Sequence, residues 1–142
     1  MYDSVLVPTD GSDVAARGVA HALDFAAQYD ATLHVLSVVP TEETTTVVGP
    51  AATGSLATAY EAESERTAAD VAARARERGL DVETTIETGR PHQTIVSYVR
   101  ERDIDVVVMG THGRSGVARF LVGSTTEQVI RRSDAPVLTV RA

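Results

Sequence analysis

Three glycines and a serine carry the most specific chemistry in this chain. Gly110 ends the apolar run Val106–Met109, Gly113 follows after two residues, and Gly123 follows after nine more, with Ser124 directly behind it. Glycine admits positive φ and lets backbone N–H groups approach a ligand with no Cβ in the way. Ser124–Thr125–Thr126–Glu127 fits a capping box, a hydroxyl at the N-cap and a carboxylate three residues later. That predicts a helix starting directly after Gly123, whose first amides and dipole favour an anion. The pattern is that of a phosphate cradle. Its plain alternative is a loop in which Gly110 relieves a tight strand exit and Gly123 merely precedes a helix. Neither GxxxxGK[ST] nor GxGxxG occurs, so the stretch is neither a P-loop nor the dinucleotide fingerprint.

Other polar residues stand where they can serve the same ligand. Asp10, in "PTDGS" after the first apolar run, offers a carboxylate to ribose hydroxyls; its alternative role is turn formation with Ser12. His112 lies inside the glycine loop, as a ligand-facing residue or an exposed turn residue. His21, His34 and His92 are scattered without ligand spacing, so no protein-built metal site is expected. Spacing identifies neither a Ser–His–Asp arrangement nor a general base or nucleophile.

The elements that must position these residues alternate. Tyr2–Val7 reads as a strand stopped by Pro8, and Ser12 offers an N-cap to a helix over Asp13–Tyr29. Thr32–Val39 is a second β-rich run, ended by Pro40. From Thr41 to about Leu56 the pattern is lost among Gly, Pro and Thr, which predicts a long loop. Ala57–Arg78 reads as a helix with Gly79 at its C-cap, its alternating acids and bases forming a solvated face. Asp81–Glu87 alternates as a strand does. Pro91 suits the first turn of a helix to about Arg102, with Ile95, Val96 and Val99 inward. Ile104–Met109 is a fully apolar strand, Ser124–Arg132 a helix and Pro136–Arg141 a last strand.

Runs such as "VLV", "LHVL" and "VVVM" are continuous rather than alternating, the mark of parallel strands covered on both faces. Crossovers in such a sheet are right-handed. The ligand site is then expected beyond the C-terminal strand ends, where strand order reverses. The loops after Val7, Val39, Glu87 and Met109 are the ones that count.

Composition narrows the classes. The 142 residues suit one domain, 1–142, with a full-sized core. There is no cysteine, hence no disulfide framework and no thiolate chemistry. The longest apolar runs fall far short of a bilayer span, and the N-terminus lacks a basic, cleavable leader. A cytoplasmic protein with no membrane partner is expected. All 13 basic residues are arginine against 20 acidic ones, a net charge of −7, which argues against nucleic-acid binding. Excess Asp and Glu without lysine looks like a salt-adapted surface; a GC-rich genome and an ordinary acidic domain are the alternative.

With these residues in view, the sequence resembles the universal stress protein family, UspA-like domains. "VPTDGS", "MGTHGRSG" and "LVGSTTEQVIRRSDAPVLTV" carry the resemblance, around the spacing Gly110-x2-Gly113-x9-Gly123-Ser124, and it covers Tyr2 to Arg141. It implies an α/β single-domain three-layer sandwich. Its five-stranded parallel sheet would run in order 3-2-1-4-5 with about four helices, a Rossmann-like nucleotide-binding fold. It also implies ATP binding, with Mg2+ or Mn2+ carried by the nucleotide. Pro8, Thr9 and Asp10 would line the adenosine end, and Val38 would contact adenine. Met109, Gly110, His112 and Gly113 would wrap the ribose and phosphates. Gly123, Ser124 and Thr125 would hold phosphate, with Thr126 a weaker candidate. Gly116 is an extra glycine inside the spacer, and Arg114 and Arg119 are possible positive charges there, Arg119 reading more simply as solvent-exposed.

The function implied is an ATP-binding regulatory or stress-response module with slow hydrolysis at most. The family resemblance also implies a homodimer through strand 136–141. Two alternatives stay open: an ATP-hydrolysing or adenylating enzyme of the related α/β group, and a sensor of AMP or another small ligand. The sequence does not indicate a protein partner.

Overall fold

The computed structural model describes residues 1–40, 50–111 and 123–141, with 50–57 described by backbone alone. Strand β1 (Ser4–Pro8) ends at its proline, which cannot donate to a ladder. Helix α1 (Asp13–Tyr29) follows; Ser12 caps it, its hydroxyl accepting from the Ala15 N–H at 3.1 Å. Asp30, at φ 53, closes α1 in the left-handed conformation and leads to β2 (Thr32–Pro40). Helix α2 (Pro50–Glu77) ends before Gly79, whose φ of 76 a side chain rarely adopts. Strand β3 (Val82–Gly89), helix α3 (Pro91–Glu101) with proline in its first turn, and β4 (Val106–Gly110) come next. Helix α4 (Ser124–Arg132) and β5 (Val137–Val140) complete the described chain.

The sheet has five strands in the order β3-β2-β1-β4-β5, every pair parallel. That is the expected architecture. The continuous apolar runs have the expected cause, because alternate residues of each inner strand feed two cores. Val5 and Val7 join Val19, Leu23 and Val71 under α1 and α2. Leu6 joins Ile95, Val99 and Val129 under α3 and α4. Successive strand residues point to opposite faces, so both sets must be apolar. No helix among the described residues is long and apolar enough to cross a membrane.

Two expectations are corrected. Part of the loop predicted over 41–56 is helix, since α2 starts at Pro50. Proline fits a first helical turn, Ala51, Ala52, Leu56 and Ala57 are strong helix formers, and the lone Gly54 costs only about 1 kcal/mol. Residues 41–49 lie outside the described ones. The second correction concerns Ser124. The N-cap of α4 is Gly123, extended at φ −61 and ψ 152, and no described side chain caps the helix. Ser124 is the first helical residue, and Glu127 pairs with Arg131 at 3.1 Å rather than reaching back as in a capping box.

Candidate nucleotide cleft at the carboxyl edge of the sheet

Strand order reverses between β1 and β4, and one cleft opens there, about 310 Å³ in volume. Pro8, Thr9 and Asp10 enter it from the β1 exit. That turn is tightly specified. Thr9 N–H donates to the Leu36 carbonyl at 2.9 Å, Gly11 N–H to Thr9 Oγ1 at 3.2 Å, and Ser12 N–H to Asp10 Oδ1 at 2.9 Å. Gly11 sits at φ 80, which only glycine adopts freely. The Asp10 carboxylate therefore has the turn-forming role that was one of its two readings, and it also borders the cleft.

The β4 side is built from two glycine approaches. A Cβ on Gly110 would lie 2.6 Å from both Val14 Cγ1 and the Val14 carbonyl oxygen; one on Gly18 would lie 3.1 Å from Gly110 N. Helix α1 thus rests directly on the end of β4, and Gly110 is required by packing whatever binds beside it. Thr126, 4% exposed, donates its hydroxyl to the Gly110 carbonyl at 2.9 Å. Gly123 N–H donates to the Thr111 carbonyl, and Thr111 N–H to Val140 O at 3.0 Å. These bonds clamp the first turn of α4 against the ends of β4 and β5. The opening amides of a helix have no acceptor within it; among the described residues no side chain takes the cap, and Gly123, Ser124, Thr125 and Thr126 all border the cleft. The arrangement suits an anion.

The floor is apolar. Leu36 and Val38 of β2, Met109 of β4, and Pro91 and Ile95 of α3 line it. Among the described lining residues no arginine appears, and Asp10 is the one carboxylate. No group of His, Asp and Glu among the described residues could hold a metal. A flat apolar body with a polar rim and an anionic tail is the ligand shape this cleft accommodates.

The structure therefore brings Pro8, Thr9, Asp10, Val38, Met109 and Gly110 to one cleft with Gly123, Ser124 and Thr125. His112 and Gly113, and with them Arg114, Gly116 and Arg119, lie outside the described residues. Sequence reasoning missed Leu36, Ser37 and Pro40, although they flank Val38 on the same strand. It also missed Tyr60 and Ser64 of α2.

One buried titratable group lies away from the cleft. His34, 4% exposed, shares a 2.9 Å hydrogen bond between Nδ1 and the Tyr98 hydroxyl, and its Nε2 lies 3.7 Å from Glu83. Burial lowers its pKa below 6.5; Glu83 opposes that shift and Arg102 adds to it.

Comparison with known proteins agrees with this fold. The model of the universal stress protein family matches residues 1–141. Universal stress protein MJ0531 of Methanocaldococcus jannaschii is 33% identical over 99% of this chain and 83% of its own length. The solved structure of protein MJ0577, a universal stress protein of the same organism, superposes with a TM-score of 0.89 at 29% identity, covering 100% of this chain and 97% of that one. A universal stress protein solved in complex with cAMP superposes with a TM-score of 0.73 at 28% identity, covering 99% and 97%.

Proposed function

This chain belongs to the universal stress protein family, and from that premise we propose that its cleft binds an adenine nucleotide, ATP foremost, as a regulatory module. The observation that carries the reading is the convergence of an apolar floor with the side-chain-free cap of α4 at the point where strand order reverses. A base fits the floor at Leu36 and Val38. Asp10 borders the cleft between base and phosphate sides and can accept from ribose hydroxyls. The amides that open α4, with the hydroxyls of Ser124 and Thr125, suit the phosphates. No described arginine lines the cleft, so the charge of a triphosphate is met by backbone dipoles and by a Mg2+ or Mn2+ ion carried with the nucleotide.

Regulation rather than turnover is favoured by what surrounds Asp10. Its Oδ1 accepts from the Ser12 N–H in the turn, and no second carboxylate or histidine lines the cleft among the described residues. A second reading, a sensor of AMP or a cyclic nucleotide, is favoured by the cAMP complex of a relative 28% identical. The test is to denature the purified protein and identify any released nucleotide by chromatography, then to compare ATP, AMP and cAMP by calorimetric titration. ATP bound most tightly supports the regulatory reading; tighter AMP or cAMP supports the second. No retained nucleotide and no heat at about 1 mM ligand, where binding is worth only about 4 kcal/mol, overturns both.

The domain spans 1–142, works in the cytoplasm and forms a homodimer through β5. Among the described strands it pairs with β4 alone, and its Leu138 is 41% exposed. Pairing with its copy would satisfy the open edge. A monomeric mass by light scattering at micromolar concentration contradicts the dimer. Salt adaptation of the acidic surface predicts a melting temperature that rises from low to molar KCl.

A further inference from the structure

Helix α2 is longer than the sheet it covers. Its 28 residues span about 42 Å, whereas the nine residues of β2, the longest strand, span about 30 Å. The C-terminal turns of α2 lie over the sheet, where Ala68, Val71 and Ala75 are buried in the core. The preceding turns therefore stand beyond the carboxyl edge. Their height is marked by Gly11, just past β1, where an added Cβ would lie 3.3 Å from Thr67 Oγ1.

The inward stripe of α2 changes chemistry at that level. Below it the stripe is Ala68, Val71 and Ala75. At and above it the stripe continues at helical spacing as Thr67, Ser64 and Tyr60, each half-buried, while Glu61, Glu63, Glu65 and Arg66 beside them are exposed. A helix that only had to cover the sheet would either stop or become polar all round past the edge. This one keeps an inward face and fills it with hydroxyls and an aromatic ring. Tyr60 and Ser64 line the same cleft as Val38 and Pro40.

The side of the cleft follows from the fold. Helix α2 connects β2 to β3, on the opposite side of β1 from β4 and α4, where the phosphate cradle lies. Accepting the nucleotide reading, we propose that Tyr60 and Ser64 are binding residues for the base and ribose, so that α2 supplies the wall that recognises the nucleoside. Tyr60 offers its ring to the face or edge of the base, opposite the apolar floor. Ser64, one turn nearer the sheet, offers a hydroxyl to the sugar.

Tyrosine itself gives the readout. The chain has four tyrosines and no tryptophan. Tyr2 and Tyr29 pack with Phe25, and Tyr98 is buried against His34, so Tyr60 is the one that lines the cleft. Affinity for ATP and the change in tyrosine emission on ATP addition are measured for the wild type, Tyr60→Ala, Tyr60→Phe and Ser64→Ala, with circular dichroism melts verifying the fold. The expected result is a Tyr60→Ala variant that melts as the wild type and binds ATP about tenfold to a hundredfold more weakly. Tyr60→Phe binds nearly as well as the wild type but loses the emission change, and Ser64→Ala binds about two- to tenfold more weakly. Unchanged affinity in a folded Tyr60→Ala, or an emission change that survives Tyr60→Phe, overturns the assignment. A wild type that binds no ATP overturns the nucleotide reading itself, and this inference with it.

Discussion

The two edges of one sheet are finished in opposite ways. At the amino edge the chain satisfies itself. Asp105 Oδ2 accepts from the N–H groups of Asp3 at 2.8 Å and Ser4 at 3.0 Å, and Asp105 N–H donates to the Ser4 carbonyl at 3.0 Å. Asp30 and Gly79 close α1 and α2 in left-handed conformations, and Tyr2, Phe25 and Tyr29 meet in a cluster with centroids about 5 Å apart. At the carboxyl edge all four described helices begin. Ser12 caps α1, but neither α3 nor α4 has a side-chain cap among the described residues. Apolar residues and helix amides face the same space there. Among the described residues, the chain closes the amino edge with its own groups, while helix amides and apolar side chains at the carboxyl edge border a cleft.

Substitutions can break this contrast. The largest effect is expected at Gly110, where closed packing and open cleft meet. Gly110→Ala pushes a Cβ against the Val14 backbone, and overpacking of this kind costs about 1–3 kcal/mol. Urea denaturation should show that loss, and ATP binding should fall with it because α1 and the end of β4 move apart. A fully stable Gly110→Ala that loses only affinity would reassign this glycine to the ligand alone. A smaller, opposite pattern is expected at the amino edge. Asp105→Ala removes two backbone-to-carboxylate bonds at a partly exposed site and should cost about 1 kcal/mol in a urea melt, with ATP affinity unchanged. A change in affinity would mean that the two edges are coupled.

His34 tests the sheet between the edges, and its effect is the smallest. Burial lowers its folded pKa below 6.5, so the unfolded chain binds the proton more tightly. Both states are neutral at this site above pH 6.5, and its contribution to stability is fully present there. That contribution is lost progressively as pH falls below 6.5, because unfolding then takes up a proton. Urea midpoints measured from pH about 8 down to about 5.5 should fall, and His34→Gln should flatten the decline. An equal slope in both proteins would move the titration to other groups.

Much of this contrast could be read from residue order, for physical reasons. Val5–Val7 and Val106–Met109 are apolar without interruption because both faces of the inner strands are covered, and that pattern identifies a parallel sheet. Pro8, Gly79 and Pro91 mark element ends through restricted or permissive backbone geometry, and Ser12 through its capping hydroxyl. The start of α2 was hidden because Gly54 and the threonines resemble loop composition while helix propensity acts over many residues. The cap of α4 slipped by one residue because Gly123 itself takes the extended cap conformation, its N–H donating to the Thr111 carbonyl earlier in the chain. Tyr60 and Ser64 sit among exposed acids and an arginine, and only the length of α2 relative to the sheet shows that their stripe has a face to line.

The central claim is that the carboxyl edge, and not the amino edge, holds a nucleotide. Backbone amide chemical shifts of the isotope-labelled protein during an ATP titration test it directly. The account predicts saturable shifts at Thr9, Asp10, Val38 and Gly123–Thr126, with Asp3, Ser4 and Asp105 unmoved. Shifts confined to the amino edge, or none at saturating ATP, would contradict it.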